Sequence, residues 1–222
     1  MMKKDKKYSA ALFDLDGVIV DTAKYHYLSW KKLAEELGIH FTQVENERLK
    51  GVSRMESLKI LLQLGRLNLD ASSKTALAEK KNRWYVESIE QMNSSEILPG
   101  VREYLVKLKE RGVKIALCSA SKNAPLILKR MQLEDLFEAV IDGNKVLHAK
   151  PDPEVFMLGA KSLGVAHEKC VVFEDSQAGI DAAKALGMFV VGIGQKESLV
   201  KADVVVEGVS HLDMDKLFPP TS

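Results

Sequence analysis

The chain has 222 residues, enough for one large domain or for a core carrying a smaller insertion. Apolar residues make up 46% and charged residues 28%, the balance of an ordinary soluble globular protein. With 32 basic and 31 acidic residues the net charge is +1, so there is no electrostatic case for nucleic acid or an anionic membrane as partner.

The N-terminus, Met1-Met2-Lys3-Lys4-Asp5-Lys6-Lys7, is basic, and no signal-peptide-like apolar stretch follows it. No apolar run approaches the length of a membrane span, so the chain is expected in the cytoplasm. A first strand is predicted over residues 9–13. The run Asp14-Leu15-Asp16-Gly17-Val18-Ile19-Val20-Asp21-Thr22 comes next. Residues 25–37 turn helical, with Trp30, Leu33, Ala34 and Leu37 on one face and Gly38 as terminator. A second helix is predicted over 54–64, with Leu58, Leu61 and Leu62 on one face and Gly65 after it. A third is predicted over 72–92, with Leu77, Trp84, Tyr85 and Met92 as its apolar stripe.

After Pro99-Gly100 the pattern changes to alternating helices and strands. Helix 101–111 leads through Gly112 to strand 113–118. Asn123 and Pro125 then open a helix. Strand 139–141, a helix opened by Asp152-Pro153, strand 170–173, a helix closing at Gly187, strand 189–193, strand 204–206 and a terminal helix complete the chain. This alternation predicts an α/β fold with a doubly wound, mostly parallel sheet. Residues 1–22 and 94–222 form that core, and residues 23–93 form an inserted α-helical cap domain. Cys118 and Cys170 both lie in apolar segments and are expected to be buried free thiols.

Four groups of polar residues each follow a predicted strand: Asp14 and Asp16; Ser119 with Ala120, Ser121, Lys122 and Asn123; Lys150; and Glu174 with Asp175. In open parallel sheets ligands bind at the carboxyl ends of the strands, so these segments converge on one edge. Paired carboxylates suit Mg²⁺, and one of them can serve as a nucleophile. A hydroxyl and a lysine complete the needs of phosphoryl transfer, which depends on positioning and charge neutralisation. Each residue has an ordinary reading as well. Ser119 fits a turn residue, Lys150 a solvated loop lysine, and Glu174-Asp175 the charges favoured ahead of a helix N-terminus. Their joint occurrence at four strand ends favours the functional reading.

The four segments resemble, in order, the four motifs of the haloacid-dehalogenase superfamily of phosphotransferases, and the predicted helical insertion is similar to that superfamily's small α-helical cap. The resemblance implies that Asp14 is a nucleophile forming an aspartyl-phosphate and that Asp16 is the general acid/base. It implies Mg²⁺ on Asp14, the Asp16 backbone carbonyl, Asp175 and Glu174, with Ser119 and Lys150 holding the transferring phosphate.

In the cap, Lys81 falls at the centre of an apolar stripe, where a lysine is costly without a partner. It either snorkels to water or points into the cleft toward an anion; the second is favoured. Gly51-Val52-Ser53-Arg54 opens the second cap helix and suits a phosphate or sugar, though Ser53 is equally a helix cap. His26 and Trp30 lie one helical turn apart; His26 fits either a structural histidine or a partner of Asp16, and Trp30 a cleft wall. The segments 21–26, 49–54, Lys80-Lys81-Asn82, 119–123 and 174–179 resemble the sugar-phosphomutase branch of the superfamily. That implies an isomerase interconverting β-D-glucose 1-phosphate and β-D-glucose 6-phosphate, with β-glucose 1,6-bisphosphate as intermediate and activator. A Mg-dependent sugar-phosphate or phosphoglycolate-type phosphatase is the alternative. The expected partner is a hexose phosphate, with no nucleic acid and no membrane, and the expected state is a monomer.

Overall fold

The apolar run ahead of Asp14 forms the strand β1 (Ala10–Phe13), buried on both faces as a central parallel strand must be. It lies in a six-stranded parallel sheet with β2 (Lys114–Cys118), β3 (Ala139–Ile141), β4 (Cys170–Glu174), β5 (Phe189–Ile193) and β6 (Val204–Val206), in the order β3-β2-β1-β4-β5-β6. The computed structural model describes residues 8–49 and 51–220. The basic run Met1 to Lys7 and Lys50 of the cap motif lie outside the described residues.

Alternate strand residues serve opposite faces. Ala11, Phe13, Ile115, Leu117, Val171 and Phe173 pack with α5 (Val101–Glu110) and α6 (Ala124–Met131). Ala10, Leu12, Ala116, Cys118, Val172 and Val190 pack with α7 (Glu154–Leu163) and α8 (Gln177–Ala185). The sheet is therefore doubly wound, as its pattern predicts. Cys118 and Cys170 are buried free thiols.

Between β1 and α5 come α1 (Ala23–Glu36), α2 (Gln43–Glu47), α3 (Arg54–Leu64) and α4 (Ala71–Ile89). They share their own apolar cluster of Trp30, Leu33, Ala34, Ile39, Phe41, Leu58, Leu61, Leu62 and Ala78. The short helix α2 is absent from the sequence expectation. Its five polar residues carry no helical period, and a Thr42–Glu45 capping box holds it. The expected stripe on α4 is also displaced. Ala78, Lys81, Tyr85 and Ile89 are the buried face, Leu77 and Trp84 lie at its edge, and the helix ends at Ile89 rather than Met92. The chain leaves and re-enters the sheet side by side. Val20 bridges Ile97, Asp21 N–H donates to Glu96 O at 3.0 Å, and Leu98 N–H donates to Ile19 O at 3.0 Å. A short helix, α9 (Met214–Leu217), ends the described fold. Among the described residues no helix is long and apolar enough to cross a membrane.

Candidate active site

Strand register aligns the chemistry. Phe13 pairs with Leu117 on one side and Phe173 on the other, so Asp14 stands level with Cys118 and Glu174, at the point where strand order reverses. Asp14 N–H donates to Phe173 O and Ser119 N–H to Ile141 O, both at 2.9 Å, which continues the ladder just past the strand ends.

Lys150 is 3% exposed, so the solvated-loop reading fails. Its Nζ donates to Asp14 Oδ1 and Glu174 Oε1, each at 2.5 Å. Burial alone would lower its pKa, but the two carboxylates more than reverse that, and the ammonium is held charged. Glu174 Oε2 accepts from Ser176 N–H at 2.8 Å and Ser176 Oγ at 2.9 Å. Asp175 closes the group from below Gly17, whose φ is +81°; a Cβ at Gly17 would lie 2.2 Å from Asp175 Oδ2. Asp14, Glu174 and Asp175 offer oxygen atoms within 4.8 Å of one another. Two of these carboxylates share one lysine, and burial with the Glu174 and Asp16 charges pushes Asp14 up to about 7 against the pull of Lys150. This hard, oxygen-rich and over-negative set fits a divalent cation such as Mg²⁺.

Asp16 accepts a hydrogen bond from Thr22 Oγ1, because the Gly17 turn folds the chain back, with Gly17 N–H on Val20 O at 2.9 Å. Burial raises the Asp16 pKa, while the Thr22 hydroxyl and the Lys150 and Lys81 charges oppose the rise. His26 Nε2 stands 3.9 Å from Asp16 Oδ1, too far for a hydrogen bond. Its Nδ1 lies 3.1 Å from Lys81 Nζ, which has only protons to give, so Nδ1 accepts and His26 is neutral. Burial and the Lys81 and Arg54 charges push its pKa well down, in agreement. Lys81 is 2% exposed and does not snorkel. Its ammonium sits 4.8 Å from the Trp30 ring centroid and 4.5 Å from that of Tyr85, and burial brings its pKa down to about 7.

A cavity of about 580 Å³ opens between the sheet edge and the inserted helices. Asp14, Asp16 and Asp175 line its floor, the 119–123 loop one side, and His26, Trp30, Gly51 to Arg54 and Lys81 the roof. Lys150 and Glu174 are absent from the lining; Lys150 lies between the Asp14 and Glu174 carboxylates and donates to both. Ser53 does cap α3, accepting from Glu56 N–H at 3.2 Å, and it lines the cavity as well, so both of its expected roles hold together geometrically. Asn123 stands at the N-cap position of α6 as expected, but its side chain is used elsewhere. It makes no side-chain cap on α6, and its amide donates to Asn82 Oδ1 at 2.9 Å, tying the 119–123 loop to α4. The sequence reading assigned no role to Thr22, Asn82 or Tyr85. Thr22 and Asn82 stood inside quoted motifs, and Tyr85 inside the apolar stripe, but what they touch is remote in sequence.

A family model described as haloacid dehalogenase-like hydrolase matches residues 11–193. The chain belongs to the haloacid dehalogenase-like hydrolase family. Within that family it is 43% identical over 210 residues to the β-phosphoglucomutase of Bacillus subtilis strain 168, spanning 94% of this chain and 93% of the relative. A crystal structure of β-phosphoglucomutase from Clostridium difficile matches with a TM-score of 0.91 at 43% identity, over 95% of each chain. A phosphorylated carbohydrates phosphatase of Thermotoga maritima is 34% identical over 182 residues, spanning 81% of this chain and 82% of the relative. The haloacid dehalogenase-like fold thus holds over nearly the whole chain, inserted helices included.

Proposed function

We propose that this family member is a β-phosphoglucomutase, an isomerase interconverting β-D-glucose 1-phosphate and β-D-glucose 6-phosphate. The observation that carries the reading is one cleft with Asp14 and Asp16 on its floor and the cations Arg54 and Lys81 in its roof, which suits a substrate bearing phosphate at both ends. The two β-phosphoglucomutases that match at 43% identity over nearly their whole length support it.

In this reading residues 23–93 are the cap, and residues 1–22 with 94–222 the catalytic core. Phospho-Asp14 passes its phosphoryl group to the free hydroxyl of the bound hexose phosphate. The new P–O bond forms as the bond to Asp14 breaks, and Asp16 takes the hydroxyl proton. The resulting β-glucose 1,6-bisphosphate reorients and presents its other phosphate to Asp14, and Asp16 returns the proton to the leaving oxygen. The same bisphosphate is the activator that first phosphorylates Asp14. Lys150 orients Asp14, while Ser119 with Ser121, Lys122 and Asn123 receives one phosphate and Arg54 the other. Mg²⁺, held by Asp14, the Asp16 backbone carbonyl, Glu174 and Asp175, supplies positive charge against the phosphoryl oxygens. Closure of the cap over the cleft keeps water from the aspartyl-phosphate. With balanced charge and a small-molecule substrate, the enzyme acts as a cytoplasmic monomer.

Incubation with β-glucose 1-phosphate, Mg²⁺ and a trace of the bisphosphate tests the reading. Glucose 6-phosphate with little free phosphate is expected. Free phosphate without isomerisation would mean a sugar phosphatase instead.

A further inference from the structure

Four carboxylates line the cleft: Asp14, Asp16, Asp175 and Glu79. The three aspartates stand on the floor with the phosphoryl chemistry. Glu79 stands apart in the roof, on α4, where the cleft-lining positions run Thr75, Ala78, Glu79, Lys81, Asn82 and Tyr85. No step of the transfer uses it. A fixed negative charge facing a substrate with a phosphate at each end repels that substrate, so its presence there calls for a compensating contact.

Neither ordinary role of a helix carboxylate accounts for Glu79. It makes no hydrogen bond and no ion pair among the described residues, so it neither caps nor braces the fold. Arg54 lies in the same roof and feels the Glu79 charge, which opposes the lowering of its pKa by burial, yet no ion pair joins the two. Arg54 thus keeps its donors for an anion, and Glu79 keeps its lone pairs. Polar neighbours in the roof are already engaged. Asn82 Oδ1 accepts from the Asn123 amide at 2.9 Å, Ser53 Oγ accepts from Glu56 N–H at 3.2 Å, and Thr75 Oγ1 donates back to Ala71 O at 3.0 Å.

A hexose phosphate brings the partner that Glu79 lacks. With its phosphates held at the floor and at Arg54, its ring hydroxyls remain between the two, each with a proton to donate. An ionised carboxylate is purely an acceptor, with about four lone-pair sites, and a hydrogen bond to it is roughly twice as strong as a neutral one. Glu79 is exposed, so a ligand in the cleft reaches it without rearrangement of α4. We propose that Glu79 is a specificity-determining residue: it accepts a hydrogen bond from a ring hydroxyl of the bound hexose phosphate, and so selects sugars that carry this hydroxyl over phosphate esters that lack it. This inference rests on the reading of the substrate as a hexose phosphate, and it deepens that reading.

A cycle between residue and substrate tests it. The kcat and KM of wild type, Glu79→Gln and Glu79→Ala are measured with β-glucose 1-phosphate and its 2-, 3- and 4-deoxy analogues. Glu79→Ala should lower kcat/KM for the parent sugar roughly ten-fold, chiefly through KM and with no loss of melting temperature. Glu79→Gln keeps one acceptor oxygen and should lose less. One deoxy analogue should be about ten-fold poorer than the parent for the wild type and equal to the parent for Glu79→Ala. A KM for the parent that is unchanged or lower in Glu79→Ala, the mark of a solvated or merely repelling charge, would overturn the proposal. So would deoxy penalties that are the same in wild type and variant. The cycle is read on isomerisation or on phosphate release, whichever the wild type shows, since both begin with binding of the sugar. A wild type that only releases phosphate ends the mutase reading and leaves the cycle readable.

Discussion

Lys81 gives the sharpest test of how the cleft is balanced. Substituting Lys81→Met keeps the length of the side chain and removes its charge from a site that is 2% exposed. Burial and then the Arg54 charge bring the lysine from 10.5 down to about 7 against the pull of Asp16, which at about 1.4 kcal/mol per pH unit is a penalty of about 5 kcal/mol on the charged form. The contacts with the Trp30 and Tyr85 rings, 4.8 and 4.5 Å from the ammonium, return about 1 kcal/mol each. The variant should therefore be more stable by about 3 kcal/mol, within the range seen when buried charges give way to apolar residues. The sign with pH follows from linkage. The folded pKa lies below the unfolded one, so the wild-type penalty is full below about pH 7 and fades as pH rises toward 10.5. Urea unfolding of both proteins at pH 7 and pH 10 measures this. The gain should be about 3 kcal/mol at pH 7 and shrink to under about 1 kcal/mol at the higher pH. Isomerase activity should fall by about two orders of magnitude, because the cation faces the anionic substrate. A variant less stable than wild type at pH 7 would refute the reasoning, since the ammonium would then be a net stabilising group.

Asp14→Asn should abolish turnover and the phosphoryl adduct seen by intact mass spectrometry while the far-UV circular dichroism stays native; residual turnover above about one part in a thousand would remove Asp14 as nucleophile. Arg54→Ala should cost isomerisation about a hundred-fold but change hydrolysis of a simple aryl phosphate less than about three-fold, because only the hexose bisphosphate reaches the roof of the cleft. At Gly51 the backbone has φ +71°, and a Cβ would come within 2.3 Å of Ser176 Oγ, so Gly51→Ala wedges the inserted helices off the core at Ser176. The ratio of free phosphate to glucose 6-phosphate should then rise several-fold; an unchanged ratio would mean that this contact does not seal the cleft.

Much of the core was legible in the sequence because its signals are local. Each parallel strand is a short apolar run, and three of the helices behind the sheet end at a glycine with positive φ, Gly112, Gly164 and Gly187, while α6 ends at Gln132. The inserted helices were less legible. The helix α2 is too short and too polar to show a period, and the stripe on α4 slipped because Ala78 is a small residue and Trp84 a large one. Size drew the pattern to Leu77 and Trp84, while burial follows Ala78, Lys81 and Tyr85. Lys81 survived the slip only because it lies where the two stripes overlap.

The site shows the same division. Asp14, Ser119 and Glu174 were found by their place at strand ends, since parallel register alone makes such ends level. Thr22, Asn82 and Tyr85 were not, because each acts through a partner that the chain reaches only by folding back. Thr22 meets Asp16 after the Gly17 turn, Asn82 meets Asn123 across 41 residues, and Tyr85 meets His26 across the α1–α4 packing. The division has a physical cause. A single sheet edge can gather a nucleophile and its charge clamp from sequence order alone, and these suffice for phosphoryl transfer. The inserted helices line the other side of the cleft, and their contacts with the core join residues far apart in the chain. Such contacts leave no short-range mark in the sequence.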